Sequence, residues 1–169
     1  MLNEACQQAK TWHVLGRNDL VVSVNLSTLQ LCDQRICEVV ESSLQSLNFP
    51  PDKLELELTE SFILSDKPQA QTTMTYLNKL GVKFVADDFG TGFLGLEEIK
   101  LFPFHALKID QSFVFGVTNN EMDSLLVANM INLAKTTGLK VIAEGIETCL
   151  LYTSPSPRDL STSRMPSSA

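Results

Sequence analysis

Val82-Lys83-Phe84-Val85-Ala86-Asp87-Asp88-Phe89-Gly90-Thr91-Gly92 joins a short apolar run to two adjacent carboxylates and a glycine-bearing loop. The run from Val82 to Ala86, interrupted only by Lys83, has the length of a buried strand and predicts a strand over 82–86. Two acids at the end of such a strand repel one another, and burial demands protons or a cation to offset them. Gly90 and Gly92 let the backbone come close to a ligand. The combination points to a divalent metal held beside a phosphate.

On either side of this stretch the chain alternates two periods. Leu2, Ala5, Cys6, Ala9, Trp12 and Leu15 recur at helical spacing, and Leu20 to Leu26 forms a short apolar strand ending Asn25-Leu26-Ser27. Ile36, Val39, Val40, Ser43, Leu44 and Leu47 mark a helix behind Asp33, stopped before Pro50-Pro51. Lys53 to Thr59 alternates as a strand. Pro68 opens a helix with Met74, Leu77 and Leu80 on one face, closed by Gly81. A short helix near 93–100 and a strand over 105–109 come after the quoted stretch. Met122, Leu125, Leu126, Asn129, Met130 and Leu133 then form a helix closed by Gly138, and 139–143 is the fifth strand.

Strands separated by helices imply right-handed βαβ units and a parallel sheet. Five strands in this length fit either part of a (β/α)8 barrel or most of a doubly wound sheet. The polar residues choose between them. Asn25 ends the first strand, Glu57 and Glu60 the second, Asp87 and Asp88 the third, Lys108 and Asp110 the fourth, and Glu144 and Glu147 the fifth. A barrel gathers every strand end at one mouth, whereas a doubly wound sheet uses a single switch point. Polar endings on all five strands favour an α/β fold that is a partial TIM-type barrel, with about five of the eight strands present.

Side-chain parity agrees. Leu54, Leu56 and Leu58 share one face of their strand and Glu55 and Glu57 the other, while Leu107 and Ile109 oppose Ala106, Lys108 and Asp110. Each polar residue also has an ordinary explanation. Glu55 suits a solvated or paired strand position, Asp110 a cap for the segment containing Ser112, and Asn25 a turn. Glu60 and Glu147 suit the first turns of helices. Five strand ends of the same kind are harder to reach by accident than any one of them.

Composition sets the outer limits. A chain of 169 residues, 44% hydrophobic, can bury a core as one domain. A net charge of −7 argues against binding a nucleic-acid duplex or an acidic membrane by bulk electrostatics, and no run approaches the ~20 apolar residues of a membrane span. The chain start reads as an amphipathic helix and not as a signal peptide, and a cytoplasmic domain is the expectation. Cys6, Cys32, Cys37 and Cys149 form no CxxC pair and read as reduced thiols. His13 and His105 lie away from the mouth, so general-base work falls to a carboxylate, a lysine or a water held by a metal.

Val24-Asn25-Leu26-Ser27, Glu57-Leu58-Thr59-Glu60, Asp87-Asp88-Phe89-Gly90-Thr91-Gly92, Leu107-Lys108-Ile109-Asp110 and Ala143-Glu144-Gly145-Ile146-Glu147 resemble, in order, motifs of the EAL-domain phosphodiesterases. These bacterial (β/α)8-barrel enzymes open the cyclic dinucleotide cyclic diguanylate to linear pGpG. The resemblance implies two Mg²⁺ or Mn²⁺ ions, one held by Asn25, Glu57 and Asp87 and one by Asp87, Asp88 and Glu144. Oxygen donors suit such hard cations. It further implies a catalytic group of Lys108, Glu144 and Glu60. Lys108 would place water and phosphate, and Glu60 would brace the loop after Asp88. Asp110 and Glu147 would stand behind the ligands, and Phe89, Gly90, Thr91 and Gly92 would form the substrate loop. Family members sit behind sensor or diguanylate-cyclase domains, sometimes in membrane-anchored proteins, and often dimerise.

The resemblance covers residues 2–148 and is incomplete at both ends. The Glu-Ala-Leu strand, with a further metal ligand and a nearby arginine, would precede Met1, and a last strand bearing a glutamine is not recognisable. Phe93-Leu94-Gly95 replaces the aromatic and two small residues usual after the glycine loop. Cys149 to Ala169 contains six Ser, two Thr and three Pro among 21 residues and reads as a disordered or non-native tail, outside a barrel segment spanning 1–148. The expectation is therefore a phosphodiesterase fragment with little turnover of its own. The alternatives are a non-catalytic cyclic-diguanylate receptor or interaction module on the same barrel, and an unrelated barrel enzyme acting on another phosphate ester.

Overall fold

The computed structural model describes residues 1–60, 66–92 and 94–146. Five strands, β1 (Val22–Asn25), β2 (Leu54–Thr59), β3 (Lys83–Phe89), β4 (Phe104–Ile109) and β5 (Lys140–Ala143), form one sheet. All four pairings are parallel, and the spatial order β1-β2-β3-β4-β5 is the order of the chain. A doubly wound sheet reverses direction at a switch point; this sheet does not, which is the arrangement of a barrel wall.

The helices are α1 (Leu2–Val14), α2 (Thr28–Leu31), α3 (Ile36–Leu47), α4 (Lys67–Leu80), α5 (Leu96–Leu101), α6 (Gln111–Gly116) and α7 (Glu121–Thr137). Side-chain caps set several of their starts. Ser27 and Gln30 form a capping box on α2, and Asp66 accepts the Gln69 N–H at the start of α4. Asp110 accepts the Ser112 N–H to begin α6, and Asn120 accepts that of Met122 to begin α7.

The core lies between the sheet and the helices. Leu54, Leu56 and Leu58 of β2, Phe84 and Ala86 of β3 and Leu107 of β4 are buried with Val40 and Leu44 of α3 and Met74 and Leu77 of α4. Their alternation with Glu55, Glu57 and Lys108 is the period of two that a half-buried strand requires. A second, smaller apolar cluster joins Ile109 to Val114 of α6 and Ile131 of α7.

Several elements depart from the expectation. The strand predicted over 82–86 continues through both aspartates to Phe89. α2 and α6 were not anticipated, because four- and six-residue helices are too short to display a period. On α7, Met122, Leu125 and Leu126 are exposed while Ile131 and Ala134 are buried, so the helix turns a neighbouring face to the sheet. Trp12 and Val39, placed on apolar faces of α1 and α3, are also exposed at 45% and 49%. Cys6, Cys32 and Cys37 are free thiols. The expected tail, Cys149 to Ala169, lies outside the described residues. Among the described residues no helix is long and apolar enough to cross a membrane.

Candidate metal centre

The site is assembled by strand register. Asn25 stands opposite Glu57 across β1 and β2, and Thr59 stands opposite Asp87 across β2 and β3. Lys108 occupies the same end of β4, and Glu144 follows Ala143, the last residue of β5, with its N–H donating to the Ile109 carbonyl at 3.2 Å. The C-terminal ends of adjacent parallel strands thus bring polar side chains from distant sequence positions to one mouth.

Lys108 sits at its centre. Its Nζ is 3.1 Å from Glu57 Oε2, 3.0 Å from Asp87 Oδ1 and 2.6 Å from Glu144 Oε1. The side chains of Lys108, Glu57 and Asp87 are only 13–14% exposed, so the contacts form largely out of water. Burial opposes the ammonium, but hydrogen bonds to Glu144, Asp87 and Glu57 outweigh it and raise the Lys108 pKa well above the usual lysine value.

Asp88 joins them through a break in the strand. In a regular strand Asp87 and Asp88 would face opposite sides of the sheet. Ala86 pairs with Leu107 and Phe89 with Ile109, so two residues of β3 span one of β4. Asp88 takes a left-handed backbone, φ +56°. This β-bulge re-aims its carboxylate. Oxygens of Asp87, Asp88 and Glu144 then lie within 4.8 Å of one another. Burial, followed by the charges of Asp87, Asp110 and Glu144, raises the Asp88 pKa above the aspartate norm, and Lys108 opposes the shift.

The surroundings are equally specific. Glu60 is 5% exposed, and its carboxylate accepts the backbone N–H of Gly90 at 2.7 Å and of Leu94 at 3.4 Å. It holds the Phe89–Gly92 loop and does not belong to the group around Lys108. Asp110 makes no ion pair with Lys108; its Oδ1 accepts from the Ser112 N–H and hydroxyl at the start of α6, and its charge still acts on Asp88. Asn25 is exposed at the rim, beside Glu57 in register. Glu147 lies outside the described residues. His13 Nε2 pairs with the Leu20 carbonyl at 2.8 Å and its ring stacks on Phe49. His105 is an extra residue of β4 opposite β3, with its Nε2 buried and unpartnered.

Four carboxylates (Glu57, Asp87, Asp88, Glu144) thus face one ammonium, and their donor atoms are all oxygen. That set is short of positive charge and suits a hard divalent ion such as Mg²⁺ or Mn²⁺ better than zinc.

A family model described as the EAL domain matches residues 1–152. The chain belongs to the EAL domain family. Cyclic di-GMP phosphodiesterase PdeR of Escherichia coli is 36% identical over 144 residues, which are 85% of this chain and 22% of that protein. MucR of Pseudomonas aeruginosa, a bifunctional diguanylate cyclase and cyclic di-GMP phosphodiesterase, is 35% identical over 148 residues, 88% of this chain and 22% of that one. Among solved structures, the EAL domain of DcpA from Mycobacterium smegmatis superposes with a TM-score of 0.83 at 36% identity, covering 87% of this chain and 66% of that one. The chain therefore spans about a fifth of the length of its curated relatives. Its five-stranded wall and acidic mouth are those of an EAL barrel in part.

What the motifs of the EAL family did not disclose is the bulge at Asp88 and the short helix α6. A clue to the first was present in the sequence. Two adjacent acids that must serve one site cannot both do so from an unbroken strand.

Proposed function

We propose that this EAL chain carries the metal-binding arc of a phosphodiesterase site that hydrolyses cyclic diguanylate to linear pGpG. The observation that carries the reading is the convergence of Glu57, Asp87 and Glu144 on Lys108 Nζ, with Asp88 brought alongside. The names of PdeR and MucR, at 35–36% identity, support cyclic diguanylate as the substrate.

Hydrolysis adds water across one of the two phosphodiester linkages: a water oxygen bonds to phosphorus, one P–O bond breaks, and the departing sugar oxygen takes a proton. In this reading Asn25, Glu57 and Asp87 would hold one divalent ion and Asp87, Asp88 and Glu144 a second. Such ions, when bound, acidify water and offset phosphate charge. Lys108 supplies a permanently charged donor that aligns a phosphate oxygen and the incoming water. Glu60 keeps the Phe89–Gly92 loop rigid, so the loop backbone can approach the substrate without reorganising.

Cyclic diguanylate incubated with the chain and Mn²⁺ or Mg²⁺, with products resolved by chromatography, tests the proposal. Formation of pGpG that is lost in Asp87→Asn supports it, by roughly the 10²–10³-fold that removing one preorganised electrostatic group costs. Saturable cyclic diguanylate binding without turnover transfers the site to a receptor role. Turnover of a generic phosphodiester in preference to cyclic diguanylate overturns the substrate.

A further inference from the structure

Gly90 lies two residues after Asp88 and Gly145 directly after Glu144, and both adopt left-handed backbone, with φ of +104° and +70°. A Cβ at Gly90 would run into Met130 Cε and lie 2.9 Å from Phe113 Cε2. One at Gly145 would lie 2.9 Å from Gln111 Cβ and 3.5 Å from Phe115 Cζ. The backbones of both acid-bearing loops therefore press on the same short helix, α6. That helix begins directly after Asp110, which caps it at the end of the strand of Lys108, and it has its own footing. Val114 is buried with Ile109 and Ile131, and Phe113 and Met130 pack against them, in a cluster separate from the main core.

We infer that Phe113 is a positioning residue for the metal ligands, acting through Gly90. The Glu60 carboxylate holds the glycine loop by accepting the Gly90 N–H, and the Phe113 ring, with Met130, walls that loop from another side. Gln111 walls the Glu144 loop from the same helix. One rigid element thus sets the separation of Asp87 and Asp88 from Glu144. Carboxylates held this close repel, and without a wall the loops can relax apart. Ligand geometry for Mg²⁺ tolerates little of that. A side chain that touches no ligand atom then controls affinity, as groups behind metal ligands do. The inference rests on reading Asp87, Asp88 and Glu144 as metal ligands.

Two measurements on the 169-residue chain test it. Amide hydrogen exchange without added metal reads the loop, and Mn²⁺ titration followed by electron paramagnetic resonance reads the ligands. In Phe113→Ala the Gly90 amide should exchange faster while Val85 and Ala106 stay protected, and Mn²⁺ should bind roughly 10-fold more weakly. Phe113→Leu, which keeps most of the wall, should recover most of the affinity. Unchanged Mn²⁺ affinity in a folded Phe113→Ala overturns the positioning role alone. Failure of the unsubstituted chain to bind Mn²⁺ overturns the metal reading and this inference with it. If Phe113→Ala does not fold, Gln111→Gly, at an exposed position, decides: weaker Mn²⁺ binding supports α6 as the spacer, and equal binding removes it.

Discussion

Lys108 Nζ is bonded to carboxylates from three strand ends at once, at 2.6 to 3.1 Å, and those strands are joined there by charge as much as by backbone. Lys108→Met keeps the length of the side chain and removes the charge. The three carboxylates would then face one another, and stability should fall by about 3 kcal/mol, the low end for a broken buried pair because Glu144 keeps 30% exposure. Urea unfolding measures the loss, and saturating Mn²⁺ should recover part of it. His105 makes a prediction of opposite chemistry. Burial first, then the charges of Lys140 and Lys83, press its pKa below 6.5, with Glu55 opposing. Above 6.5 both folded and unfolded chains carry a neutral ring. As the pH falls below that value the unfolded chain takes the proton first, so stability is lost on the acid side. His105→Leu should flatten that limb in unfolding curves collected between about pH 8 and about pH 5.

Among the elements, β3 departs most from its sequence reading, and the departure is what makes the site. The bulge costs a left-handed conformation at Asp88, which aspartate and asparagine tolerate better than other residues with a Cβ. Asp88→Asn should fold about as well as the unsubstituted chain. Asp88→Val should lose about 1–2 kcal/mol in denaturant titrations, because a β-branched side chain meets the full strain. α6 was missed for another reason. Its packing on Gly90 and Gly145 involves loops more than 20 residues away on either side, and nothing in the Gln111–Gly116 run announces those partners. The helix periods of α3 and α4 were legible because Val40, Leu44, Met74 and Leu77 all face one sheet. That of α7 misled because its apolar residues cover more than one face.

Across the whole molecule, the larger of the two apolar clusters, between sheet and helices, carries most of the fold. Phe84, near the start of the central strand, is its largest fully buried side chain. Phe84→Ala should cost about 3–5 kcal/mol, from lost apolar burial and the cavity left behind. In denaturant unfolding the midpoint should move while the slope holds. The strictly sequential strand order places every strand end at one mouth, so the layer that stabilises the wall also aligns the acids. Losing Phe84 should therefore weaken Mn²⁺ binding as well as stability.

The sequence alone was enough to place five strands, to set apolar against polar faces on β2 and β4, and to locate acids at strand ends, because each of these depends on neighbours a few residues apart. The likeness to EAL motifs named the family from the same local runs. Only the tertiary structure decided which acids meet. Lys108 and Glu57 are 51 residues apart, and their contact depends on the register of β2, β3 and β4 together. The turn of Asp88 toward Asp87 and Glu144, the grip of Glu60 on Gly90 and the footing of both loops on α6 likewise arise from contacts between segments. No local period encodes them, since each exists only once the sheet has closed its strands side by side.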